Sequence, residues 1–378
     1  MREIDYRHYY LLLVLFLCAI IINMPAPVRA EGDVLRLLIW EGHAPQTLVS
    51  RFEKQIEEKY DFKIKLHISY VTSSDDFYDS IRGGNVDMVM MTHHLFKDNR
   101  FNYIENKLLL PLDLKNIPNF RHVIPALQKA EYLNSEGQVY ASPESQGPYG
   151  LAYNTSLLKE EPKSWDILWD PRFKGKYVIG ANEYTYNAII TALALGYPRE
   201  SMDSFDALNN STFKTKLRQL AVNAHSFWIG VDKPDDLSGH LLAAVWGDSL
   251  GPLEQRGEQW KMAEPAEGTP YWIDNYAITS ALADKPFLKK LAEEYINELQ
   301  TTDYQVGHIL RVVGTIPIIS NIEHLLTSEE KKRIHVGTSD FSNKNRVLLP
   351  TYSQRDRNGL KILWKKAMEG IDLEKGIE

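Results

Sequence analysis

The stretch that most constrains the fold of this 378-residue chain is 34–91, where short apolar runs alternate with helical patterns. VLRLLIW at 34–40 is rich in leucine and β-branched residues and reads as a buried strand; Pro45 then opens an amphipathic helix predicted to run to about Tyr60. A second strand is predicted over Lys63–Val71. The N-capping run Ser73–Asp76 leads into a short helix that stops at Gly83-Gly84, and VDMVMM at 86–91 supplies a third buried strand. Strand and helix taken in turn predict a parallel α/β sheet. Ligands of such sheets bind beyond the carboxyl ends of the strands, which singles out the turns at Trp40–His43 and Thr92–His94.

The pattern then repeats. After a Pro-containing stretch at 110–118, strand character returns around Tyr149–Tyr153. It is followed by a strand at Tyr177–Ile179, helices at Asn187–Leu195 and Phe213–Val222, and strands at Leu241–Trp246 and Trp272–Ser280. A chain of this length exceeds one ordinary core, so two alternating units in series predict two lobes with a cleft between them. Pro286–Leu299 places Leu288, Leu291, Tyr295 and Leu299 at helical spacing, and a tail helix is predicted over Gly359–Gly370 that could pack on either lobe.

The first thirty residues differ from the rest. Arg2 and Arg7 precede an apolar run, Leu11–Ile22, which is followed by Pro25, Pro27 and Val28-Arg29-Ala30. The run is shorter than the roughly 20 residues that span a bilayer, and the pattern predicts a cleaved signal peptide over 1–30. The single cysteine, Cys18, lies inside that run behind Leu17, the wrong residue type for a lipoprotein, so the mature chain is expected to have no disulfide and no cysteine-based site. Removing 1–30 takes away three basic and two acidic residues and shifts the net charge from −7 to −8. A mildly acidic chain without a basic block predicts no nucleic-acid partner and suits cations.

Catalysis finds little support: no GxSxG, HExxH, P-loop or dinucleotide glycine pattern is present. His93-His94 is a metal-like doublet, but neighbours on an extended segment point to opposite faces; neither a metal nor another cofactor is expected. The tryptophans are more informative, because all eight lie in the mature chain and several sit beside carboxylates: Trp40 before Glu41, Trp246 two before Asp248, and Trp272 two before Asp274. Residues two apart on a strand share a face. An indole and a carboxylate on one face suit an alkyl-ammonium ion, through cation–π attraction of roughly 0.5–2 kcal/mol and a charge-assisted hydrogen bond. Packing of these indoles into the lobe cores is the competing reading.

SWDILWDPRFKGKYVIG at 164–180, followed by a helix ending LALGY, resembles the signature of periplasmic spermidine/putrescine-binding proteins of polyamine ABC transporters. LIWEGHAP, VDMVMM, LLLPLDLKNIPNF, GLAYNTSLL, AAVWGDS and YWIDNYAITS support the resemblance in the family's order. It implies a type II periplasmic-binding-protein fold: two α/β lobes, one from 31–143 and 275–325, the other from 144–274 and 326–378, with the ligand between them. Trp40, Trp246, Trp272 and Asp274 match cleft positions of the family, and Asp274 matches the carboxylate that receives an ammonium. The chain departs from the family at His43, where Tyr is usual, and at Thr92-His93-His94, where Ser-x-Tyr is usual. It also departs at Asn182-Glu183-Tyr184, where one family carboxylate is missing. Glu183 and Glu144 are candidates for the missing charge, and His43, Thr92 and His94 for the reshaped wall. The resemblance implies a monomeric, periplasmic receptor for putrescine, spermidine or norspermidine that hands ligand to a membrane ABC permease. The alternatives are a polyamine sensor that regulates a membrane cyclic-dinucleotide signalling receptor, or a receptor for another small cationic metabolite.

Overall fold

The computed structural model describes residues 33–98, 100–334 and 345–372; the expected signal peptide lies outside the described residues. Strand β1 (Asp33–Ile39) is followed by helix α1 (Gln46–Tyr60), β2 (Ile64–Tyr70), α2 (Phe77–Arg82) and β3 (Met88–Thr92). Pro45 precedes α1 with extended dihedrals, and α1 buries Leu48, Val49, Phe52 and Ile56, the stripe expected of an amphipathic helix. Ser73 and Asp76 form a reciprocal capping box that starts the turn leading into α2. β2, β1 and β3 pair in parallel.

The chain continues through the short β4 (Leu109–Leu110) and β5 (Ala141–Pro148), then enters a second sheet at β6 (Gly150–Asn154). That sheet gains β7 (Tyr177–Gly180), helices α3 (Tyr184–Ala194) and α4 (Ser211–Asn223), β8 (Ser226–Trp228), β9 (Leu242–Val245) and β10 (Trp260–Met262). The chain returns to the first sheet in the long β11 (Thr269–Thr279). Helices α5 (Pro286–Leu299) and α6 (Asp303–Val313), β12 (Ile316–Pro317), β13 (Arg346–Leu348) and α7 (Gln354–Ala367) complete the described chain. The first sheet runs β12-β5-β11-β3-β1-β2, with β4 and β13 also on β11; the second runs β8-β7-β9-β6-β10. Both sheets are mixed: β11 runs antiparallel to β3 and β5, and β6 antiparallel to β9 and β10.

β5 escaped the sequence pattern, since ASPESQGP has neither alternation nor an apolar run. It is a strand because two neighbours take its ladder and because its buried polar groups find partners. Gln305 Nε2 donates to the Glu144 carbonyl at 2.8 Å, Gln146 Nε2 donates to the Pro317 carbonyl at 3.2 Å, and Gln300 bonds Ser142. The tail helix begins at Gln354, earlier than expected, capped by Ser353, whose hydroxyl accepts from the Asp356 amide. Its Leu360, Leu363, Trp364 and Ala367 join the core of the second sheet, together with Trp165, Ile189 and Leu220. No described helix is long and apolar enough to cross a membrane.

Candidate ligand cleft

Between the two sheets lies a cleft with about 520 Å³ of empty space, open solvent included. Its wall includes Trp40, His43, Thr92, His94, Glu183, Trp246, Trp272 and Asp274, so the structure brings together eight of the nine residues singled out in the sequence. The first sheet contributes the turns after β1 and β3 and the middle of β11. The second contributes the start of α3 and the loops after β8 and β9.

Trp272 and Asp274 reach the cavity together because they are two apart on β11. Asp274 pairs with Thr92 of β3 and with Ser145 of β5, and the ladder shifts register immediately after it. Such irregularities re-aim a side chain out of the regular pleat. Thr92 Oγ1 donates to Asp274 Oδ1 at 2.6 Å. Gly147 lies under the Trp272 ring, where a Cβ would come within 2.7 Å of the indole, so only glycine allows the indole to lie on β5. On the second sheet, a Cβ at Gly180 would come within 2.5 Å of Glu183 Cγ, so that glycine leaves room for Glu183 at the N-cap of α3.

Trp246 is held at both ends: Nε1 donates to the Gly230 carbonyl at 3.2 Å and its amide donates to Asp232 Oδ1 at 2.8 Å. The buried Asp232 also accepts from the amides of Gly247 and Ser249 and from the Ser249 hydroxyl. One carboxylate thereby fixes the loop that carries Trp246 and Asp248. Tyr149, Tyr186 and Trp272 pack around Trp246 with ring centroids 4.8, 4.7 and 6.3 Å away.

Three carboxyls face this aromatic box, Glu183, Asp248 and Asp274. Burial pushes Glu183 up to about 8, opposed by the charge of Arg357. Burial pushes Asp274 up to about 7 against the Thr92 hydrogen bond and the charge of His43. Asp248 is raised well above the usual range by burial and by the neighbouring Asp232 and Asp274 charges. Each carries a desolvation penalty that a cation in the cavity would relieve.

The histidines divide into three roles. His43 Nδ1 donates to Glu144 at 3.1 Å; burial opposes its charged form, but the Glu144 charge and hydrogen bond, helped by Asp248 and Asp274, push it up to about 9. His94 is held well below its ordinary value by burial and by the charges of Arg357 and Arg100, and no described group bonds its buried Nδ1. His93 faces away from the cavity: its Nε2 lies 3.1 Å from the Leu349 carbonyl and its Nδ1 accepts from the Ile273 amide, so the ring is neutral. Glu144 does not line the cavity. It is only 1% exposed, sits behind His43, and is engaged by His43 and the Tyr304 hydroxyl.

Asp248, Tyr186, Gly230 and Val231 also line the cavity, beyond the residues singled out in the sequence. Asp248 was visible as the neighbour of Trp246; the others carried no signal, because their role depends on the second sheet facing the first. Contacts outside the cavity also join the two halves. Arg357 of α7, with its side chain 2% exposed, lies 3.4 Å from Asp75 and 3.6 Å from Asp98, while Lys361 reaches Asp75 at 2.5 Å. Lys233 meets Glu41 at 3.3 Å.

Two α/β halves crossed by the chain more than once, with an aromatic and acidic cleft between them, define the type II periplasmic-binding fold. Residues 84–345 match the family described as bacterial extracellular solute-binding protein, and the chain belongs to that family, whose members work outside the cytoplasm. The spermidine/putrescine-binding periplasmic protein 1 of Haemophilus influenzae is 24% identical over 271 residues, 69% of this chain and 70% of that protein. Among solved structures, the putative spermidine/putrescine ABC transporter protein of Listeria monocytogenes superposes with a TM-score of 0.73 at 16% identity, over 89% of this chain and 99% of that one. The spermidine/putrescine ABC transporter substrate-binding protein of Streptococcus pneumoniae gives 0.67 at 18% identity, over 89% and 98%.

Proposed function

We propose that this protein is a periplasmic receptor for a linear polyamine of the putrescine, spermidine or norspermidine type, which it encloses and presents to a membrane ABC permease. The observation that carries the reading is the set of three buried carboxyls, Glu183, Asp248 and Asp274, in a box of Trp40, Tyr186, Trp246 and Trp272. The one cationic side chain on the described cavity wall, His43, already faces Glu144. Ammonium groups separated by methylenes answer both features: the charges relieve the carboxylates, and the methylenes lie on the indole faces.

In this reading the lobes are the two sheets with their helices, α7 belonging with the second; the expected bounds at 143/144 and 274/275 move to 148–150 and 262–269, because β5 and β11 ladder with the first sheet, and the hinge consists of these two crossings and a third at 348–354. Closure brings Trp40, His43, Thr92, His94, Trp272 and Asp274 of one lobe against Glu183, Tyr186, Trp246 and Asp248 of the other, and the permease then meets both lobes at once. Names of relatives that bind spermidine and putrescine point the same way. Titration calorimetry of the mature protein with putrescine, spermidine and norspermidine tests the reading. Stoichiometric binding of at least one is expected, and the absence of heat or of a thermal-stability shift with all three would sink it.

A further inference from the structure

Glu144 is an acidic side chain behind the cavity wall, separated from the cavity by one ring. His43 lines the cavity and bonds Glu144 through Nδ1. Behind it, the single hydrogen of the Tyr304 hydroxyl is shared between the Glu144 carboxylate and the His43 carbonyl, 2.8 Å from the hydroxyl oxygen, and the Glu144 backbone carbonyl takes Gln305 Nε2. Tyr304 and Gln305 sit on α6, whose eleven residues follow the wide i→i+5 pattern. His308 of the same helix contacts the Gly42 carbonyl at 2.8 Å, so the turn carrying His43 is held against α6 on two sides. The His43 side chain is only 5% exposed.

Strand pairing places this pair beside Asp274. Asp274 of β11 pairs with Ser145 of β5, the neighbour of Glu144, so His43, which bonds Glu144, stands on the same wall as Asp274 and in front of Glu144, and the Asp248 and Asp274 charges both act on it. Glu183 stands on the other wall, at the start of α3.

We propose that His43 is the length-determining residue of the cleft: its ring closes the Asp248/Asp274 end and conceals Glu144, confining a terminal ammonium to Asp248 and Asp274. This inference rests on the polyamine reading of the same cavity. Removing the ring opens the space to Glu144 and provides a further carboxylate for an ammonium. Each additional methylene buried there adds affinity, and two add roughly tenfold.

The test is titration calorimetry of the mature protein with α,ω-diaminoalkanes, starting at putrescine and lengthened one methylene at a time, alongside spermidine. His43→Ala is expected to move the optimum to longer diamines and to improve the longer ones about tenfold relative to putrescine. His43→Gln, which keeps a side chain in front of Glu144, is expected to retain the wild-type optimum. An unchanged optimum in a folded His43→Ala protein, or the same lengthening in His43→Gln, overturns the proposal. Should His43→Ala fail to fold because Glu144 is left unpaired, His43→Ser, which opens nearly the same space, keeps a hydroxyl there and leaves the Glu144 carboxylate in place, is titrated instead, and its optimum decides in the same way. Wild-type protein that binds none of these amines overturns the polyamine reading and this inference together, an outcome distinct from an unshifted optimum.

Discussion

Asp274→Asn separates the charge of the central carboxylate from its shape. Thr92 donates to Asp274 Oδ1, and an asparagine carbonyl accepts that bond equally well. What disappears is a carboxyl whose pKa burial raises from 3.8 to about 7. Between those values the folded protein holds a proton that the unfolded chain releases, so unliganded stability falls as pH rises from about 4 to about 7. The penalty is absent below pH 4 and complete above 7. Three pH units correspond to about 4 kcal/mol, an upper bound because the ring of charges relaxes. Asp274→Asn removes that penalty, so the unliganded variant is expected to be more stable than wild type at pH 8 and equal to it at pH 4. Ligand affinity moves the other way. Loss of a charge-assisted hydrogen bond to a desolvated ammonium costs about 1.5–3 kcal/mol, roughly 10- to 100-fold in Kd at pH 8. At pH 5 wild type must release the Asp274 proton to bind, and the two proteins converge. Glu183 and Asp248 titrate in both, so the wild-type-minus-variant difference isolates Asp274. Calorimetry with spermidine at pH 5, 6.5 and 8, with urea unfolding of the unliganded proteins, reads both effects. A gap in affinity that stays constant with pH, or a variant less stable than wild type at pH 8, would refute the reasoning.

Other consequences follow from the packing around the cleft. Gly147→Ala places a methyl group against the Trp272 indole and is expected to destabilise the protein by about 1–3 kcal/mol and to weaken ligand binding, measured by chemical denaturation and by tryptophan fluorescence on titration. Asp232→Ala leaves three backbone amides and the Ser249 hydroxyl without their acceptor; stability should fall by about 2–4 kcal/mol, and affinity should fall with it because Trp246 and Asp248 lose their loop geometry. Arg357→Met breaks a buried cation away from Asp75 and Asp98, and should cost about 3–5 kcal/mol in unfolding free energy while Lys361 stays with Asp75.

Much of this was legible in the residue order, for local reasons. The stretch 34–91 encoded its strands and α1 in apolar periodicity, which depends only on which side of a strand or helix faces a core. Trp272 and Asp274 share a wall because a strand repeats every two residues, and that holds whatever the strand pairs with. The expected ends were least exact where tertiary partners decide them: α3 begins at Tyr184, where Glu183 sits at the N-cap beside Gly180, and α7 begins at Gln354, behind the Ser353 cap and five residues before the predicted start. β5 has no local signal at all, and exists because Gln300, Gln305 and Pro317, more than 150 residues away, satisfy its polar groups.

Residue order by itself determined the alternating α/β architecture, the likeness to a family of extracellular binding proteins, and the aromatic and acidic character of the turns at the strand ends. The tertiary structure decided which of those groups face one another. It set Asp248 and Tyr186 into the cavity, turned His93 toward Leu349, and placed His43 in front of Glu144, 101 positions away in the chain. Periodicity fixes the face of an element from its nearest neighbours, whereas the charge state and accessibility of a carboxylate depend on desolvation and on partners that only packing brings within a few ångströms.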